Sequence, residues 1–144
     1  MSRRVLAMLL AASVPVGAAA RELTSAYVVT AVANKAGVAG TDWHSDVTLY
    51  NPHDVPLPVV LQFLPTGRSN AGSVPTVTFE ILPWETLNLW DVLGPDGFAA
   101  RGSTGALLVY ADTVKVACTG SSSDFAVFSR TYTLDPAGGA GEFG

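Results

Sequence analysis

His44-Ser45-Asp46-Val47-Thr48-Leu49-Tyr50, closed by Asn51-Pro52-His53-Asp54, sets the fold class. Val47 and Leu49 fall on one face of an extended chain, and Asp46, Thr48 and Tyr50 on the other. That period of two is what a strand with one buried side requires. The Asn-Pro pair then breaks the run, because proline has no amide to donate and Asn and Asp bond back to nearby backbone. The same alternation recurs outward from this stretch. Val59, Leu61 and Phe63 alternate up to Pro65-Thr66-Gly67, and Val77, Phe79 and Ile81 alternate up to Pro83. Leu87 and Leu89 mark a short strand, residues 26–33 an apolar first strand, and residues 105–111, 114–119 and 125–133 three later ones. Only residues 91–98 suggest a helical turn, ended by Gly94-Pro95-Asp96-Gly97. Seven to eight short strands with frequent turn residues predict an all-β, antiparallel β-sandwich, with a barrel as the alternative. Two sheets about 10 Å apart would share a core of Val, Leu, Ile and Phe. If Phe79 is central in it, truncation to Ala costs about 3–5 kcal/mol.

The first residues give an address. Arg3 and Arg4 precede an apolar run over 5–16, and Ala18-Ala19-Ala20 supplies small residues for cleavage. Residues 1–20 therefore read as a secretory signal peptide. The run falls short of the roughly 20 apolar residues that span a bilayer, so no membrane span is expected once the signal is removed. Residues 21–134 are then the β-sandwich domain and residues 135–144 a loose Gly/Ala-rich tail. The expected location is secreted, periplasmic or at the cell surface. Past residue 20, six basic side chains stand against twelve acidic ones, a formal charge of −6. That balance, with its basic residues scattered singly, excludes nucleic acid as the expected partner. Cys118 is the only cysteine, so no disulfide can form within the chain.

Candidate chemistry is sparse. Asp42, His44 and Asp46 share a strand face and could approach a divalent cation, but neighbours about 7 Å apart along a strand are wide for one ion. A solvated outer face beside a buried Trp43 is the simpler expectation. His53 and Asp54 belong to the Asn-Pro turn, where Asx-type bonding accounts for them. Cys118 alternates with Val114 and Val116 and reads as a core residue with no group to activate its thiol. The loop 120–124 lacks the nucleophile elbow of an esterase, and residues 94–97 lack the signature of a phosphate loop. Arg130 is expected to face solvent or pair across strands, and Tyr132 to tie the last strand to a neighbouring loop. Trp84 and Trp90 are the candidates for stacking on a ligand, since exposed rings on a β-sandwich suit sugars. No catalytic, metal or cofactor residue is assigned.

The run from Gly40 to Pro52, with its aromatic residue, Asp, alternating strand and Asn-Pro end, resembles a family of exported bacterial β-sandwich domains. A Leu-Gln-Phe-Leu-Pro strand, an Asp-Val-Leu segment near residue 92, a Gly-Ala-Leu strand from Gly105 and Ser129-Arg130-Thr131-Tyr132-Thr133 follow in the same order. The resemblance covers residues 31–144 and implies an Ig-like or fibronectin-like domain without enzymatic activity. In that family the tail matching Gly141-Glu142-Phe143-Gly144 leads into a second, similar half. A single half would leave edge strands open to weak self-association.

The expected function is a non-enzymatic secreted or cell-surface module for interaction, adhesion or spacing, with a protein or glycan partner. The alternative is a carbohydrate-binding accessory domain using Trp84 and Trp90. A secreted hydrolase ranks last.

Overall fold

The computed structural model describes residues 23–117, 122–134 and 140–143. The expected signal peptide, Cys118 and residues 135–139 lie outside them. Eight strands follow in chain order: β1 (Ala26–Ala36), β2 (Asp42–Tyr50), β3 (Leu57–Pro65), β4 (Thr76–Ile81), β5 (Thr86–Leu89), β6 (Ser103–Ala111), β7 (Ala126–Leu134) and β8 (Ala140–Phe143). A five-residue helix, α1 (Thr113–Ala117), joins β6 to β7. The strands form one antiparallel sheet in the order β4-β3-β6-β1-β2-β7-β8, with β5 also paired to β2. The all-β, antiparallel expectation therefore holds in its coarse form. The strands run as one continuous sheet curled into a half-barrel, consistent with a β-sandwich whose two halves share β1.

The curl depends on β1, which serves both halves. Its residues from Ala26 to Asn34 pair with β6, and Lys35 and Ala36 pair with β2. Its register against β6 shifts between Val29 and Val32, the kind of irregularity that bends a strand. Along the side of β1 that faces away from β6, before the β2 ladder begins at Lys35, side chains complete the bonding. The Ala33 amide donates to Ser45 Oγ at 2.8 Å, and Ser45 Oγ meets Thr131 Oγ1 at 2.7 Å. Thr131 Oγ1 in turn donates to the Ala31 carbonyl at 3.1 Å. Only one proton arrangement satisfies all of these: the Ser45 hydroxyl donates to Thr131. Ser45 is fully buried, so an unmade bond there would be costly.

One core serves both halves of the curl. Val47 and Leu49 from β2 join Leu61 and Phe63 from β3, Ile81 from β4, and Leu107 and Val109 from β6, all essentially inaccessible. Each such side chain contributes about 1.5–3 kcal/mol on burial. Phe79, by contrast, is only half-buried on β4 and packs against the margin of this cluster. It is not the central residue that alternation suggested.

Residues 91–98 do not form a helical turn. They make consecutive tight turns that drive Val92 and Leu93 into the core. Asp91 has φ 46°, which starts the reversal, and the amides of Phe98 and Ala100 return to the carbonyls of Val92 and Leu93 at 3.0 and 2.8 Å. A Cβ on Gly97 would lie 2.0 Å from the Val92 carbonyl oxygen, so only glycine permits this close approach.

The strand expected over 114–119 is also replaced, within the described residues, by α1. The Asp112 carbonyl accepts from the Lys115 and Val116 amides at 3.0 Å each, starting the helix. Two residues apart on a strand share a face; on a helix they do not. Val116 is buried, and Val114 is 77% exposed. At the other end, Ala140–Phe143, inside the stretch expected to be loose, pairs with β7 as β8.

Candidate functional site

The outer face of β5, β2 and β7 carries most of the polar chemistry. On β2 it presents His44, Asp46, Thr48 and Tyr50. Register places Tyr132, Arg130 and Phe128 of β7 opposite His44, Asp46 and Thr48, and Asn88 of β5 opposite Thr48. A solvated face was expected here, and for Asp46 that is wrong. Asp46 is 4% exposed. Arg130 donates through Nε and Nη2 to Asp46 Oδ2, both at 2.9 Å, while the Asp91 amide donates to Oδ1 at 2.8 Å. A carboxylate on an outer face can be buried because its own hydrogen-bond donors cover it.

Arg130 thus pairs across strands, as one of its two expected roles had it. Its guanidinium carbon lies 5.0 Å from the Tyr132 ring centroid and 5.8 Å from that of Trp90, within cation–π range of both. The Tyr132 hydroxyl donates to Asp46 Oδ1 at 3.4 Å and does not reach a neighbouring loop. Burial pushes the Tyr132 phenol above its usual range, and the negative charge and hydrogen bonding of Asp46 add to this against the opposing Arg130. The tie expected of Tyr132 is made instead by Tyr27, which donates to the Phe125 carbonyl.

His44 does not join Asp42 and Asp46 in a ligand set. Its Nε2 lies 3.4 Å from Asp42 Oδ2 and its Nδ1 3.2 Å from Asp91 Oδ2, and the ring stacks on Tyr132. A protonated ring donates to both carboxylates; a neutral ring donates to one. Asn34 Nδ2 also donates to Asp91 Oδ2, at 2.7 Å, whereas Asp91 Oδ1 is buried without a hydrogen-bond partner. A cavity of about 280 Å³ opens beside this pair, between Leu93, Pro95 and Arg101. Among the described residues, no group of three or more His, Cys, Asp or Glu side chains is arranged to hold a metal ion.

The two candidate tryptophans lie in different places. Trp84 is 61% exposed in the β4–β5 turn, at φ 59°. The Glu85 amide returns to the Leu82 carbonyl at 3.1 Å, so Trp84 occupies a turn position that usually demands glycine or asparagine. Trp90, 64% exposed, lines a groove of about 300 Å³ with Phe128, Thr48, Asp46, Ser129 and Arg130. Phe128 is 53% exposed. Sequence reasoning passed over Phe128, yet the signal was there: it shares the period-two face of Arg130 and Tyr132. Asp91 carried no such signal, because its place depends on a left-handed turn after β5.

The remaining candidates are structural. Asn51 is fully buried, accepts from the His53 amide at 3.0 Å and donates to the carbonyls of Val55, Ile81 and Leu82. His53 Nε2 donates to the Asp124 carbonyl at 2.6 Å, fixing the approach to β7. Trp43 is half-buried. No described helix is long and apolar enough to cross a membrane.

Fold and face together define an all-β domain without evident catalytic or metal-binding residues among those described. The chain matches no protein-family model, and no curated protein or solved structure is significantly similar to it.

Proposed function

We propose that this chain is an exported, non-enzymatic binding module of the Ig-like or fibronectin-like kind, acting in the secreted, periplasmic or cell-surface space through the outer face of β5, β2 and β7. The observation that carries this reading is Trp90 and Phe128 standing exposed along one groove, on a sheet face whose charges are already paired. Large rings left in water on a rigid sheet are what a binding surface needs. Export rests on the composition of residues 1–20, and kinship with exported β-sandwich domains rests on the ordered motifs from Gly40 to Thr133. The terminal position of β4 in the sheet order supports weak self-association through that edge.

Co-sedimentation of the purified chain with envelopes of the producing cell tests the reading. Retention is expected for the native chain and is lost in Trp90→Ala/Phe128→Ala at an unchanged melting temperature. Equal retention of that variant, or turnover of ester, glycoside or peptide substrates, would refute it.

A further inference from the structure

We infer that the Trp90–Phe128 groove takes a neutral saccharide, seated as a single ring of a longer glycan. The inference rests on the binding-module reading above and names its ligand. The groove has two kinds of wall. Trp90 and Phe128 are exposed aromatic surfaces, and the polar residues Thr48, Asp46, Ser129 and Arg130 complete the lining. Its volume of about 300 Å³ stands at the lower limit of small-molecule sites.

Charge narrows the occupant. The Asp46 carboxylate already accepts from Arg130 and from the Asp91 amide, so the groove offers a neutralised pair, not a net charge. An anionic ligand would have to compete for Arg130 with Asp46, which already holds the guanidinium through Nε and Nη2, in a segment, residues 21–144, of formal charge −6. A cationic one would meet the half-exposed Arg130 guanidinium, whose carbon lies 5.8 Å from the Trp90 ring centroid. A wholly apolar segment would strip water from Thr48, Ser129 and the ion pair without replacing its hydrogen bonds, which is costly.

What remains is a ligand with an apolar C–H face for the rings and hydroxyls for the polar atoms. A pyranose is such a ligand. Asn88 extends the polar side: it is exposed, and its Oδ1 accepts from Thr48 Oγ1 at 2.8 Å, which orients its Nδ2 donors away from that contact. Trp84 is not part of this groove, so the stacking role moves from the turn to the sheet face.

The experiment is calorimetric titration of the full chain with neutral hexasaccharides of β-1,4-glucose, α-1,4-glucose, β-1,4-xylose and N-acetylglucosamine, with hexagalacturonate as the charged comparison. Saturable binding of at least one neutral hexasaccharide is expected. Its Kd should rise about tenfold or more in Trp90→Ala and in Phe128→Ala, each folded by melting temperature, and stay unchanged in Val38→Ala. Binding should also shield tryptophan fluorescence from iodide, and Trp90→Phe should retain part of the affinity. Four outcomes overturn the inference: no neutral hexasaccharide binds, Trp90→Ala binds as the native chain does, hexagalacturonate binds tightest, or Trp84→Ala alone abolishes binding. Should envelope retention still depend on Trp90 and Phe128 while every hexasaccharide fails, the saccharide is wrong and the binding module stands with a protein partner.

Discussion

Asp46 and Arg130 are register partners on β2 and β7, and they share one ion pair unequally. The Asp46 side chain is 5% exposed and that of Arg130 49%. The anion is therefore desolvated by the fold, and the cation is its lid.

Removing the lid should cost more than a surface salt bridge is worth. Arg130→Ala leaves a buried carboxylate without its two guanidinium donors and with an opening to water, and should destabilise by about 1–3 kcal/mol, discounted for the half-exposed guanidinium. Asp46→Asn should recover part of that loss in the Arg130→Ala background. Urea unfolding of both single variants and the double variant gives the coupling; an additive cycle would contradict the pairing.

The hydroxyl relay at the bend of β1 makes a second prediction. Ser45→Ala removes the acceptor of the Ala33 amide and the donor to Thr131. A loss of about 1–3 kcal/mol is expected, larger than for Thr131→Val, because Ser45 is the buried member. Hydrogen exchange at Ala33 should quicken in Ser45→Ala more than at amides of the β3–β6 ladder.

Tyr132 sets a pH dependence with a definite sign. Its folded-state value is raised above 10.0, so the folded chain holds that proton after the unfolded chain has lost it. The stabilisation is complete below pH 10 and falls as pH rises from there through the raised value. Tyr132→Phe should unfold with a shallower alkaline decline. Identical slopes across that range would remove Tyr132 from the account.

Trp84 pays a backbone penalty that glycine would not. Trp84→Gly should match or exceed the native stability, by up to about 1 kcal/mol, since a left-handed conformation costs an L-residue roughly 1–2 kcal/mol and glycine recovers part of this. Trp84→Ala keeps the strain and loses the ring, so it should be the less stable of the two. Thermal melts rank them directly.

What could be read from residues alone follows a physical divide. Val47 with Leu49 and Leu61 with Phe63 were legible as core pairs, because alternation is a local property of an extended chain. The burial of Asp46 was not, since its covering Arg130 arrives from 84 residues away. Val114 and Val116 misled for the opposite reason: the same spacing fits a strand face or a helix with one residue in and one out. Residues 91–98 had turn composition, but no local pattern tells that Val92 and Leu93 plug the core. At the face itself, Trp90 was visible as a candidate, and cross-strand pairing as one of two expected roles for Arg130. That they line one groove with Phe128 required the β2–β7 register.

The place of β1 in the sheet governs the order of assembly. β1, the first of the described strands to be synthesised, sits in the middle of the finished sheet, between β6 and β2. One flank waits for Ser103–Ala111 to arrive. Until then the nascent chain can pair β1 with β2 at Lys35 and Ala36, β3 with β4, and β2 with β5. Closure is a late, long-range event, the kind that slows maturation and exposes an unfinished edge to chaperones.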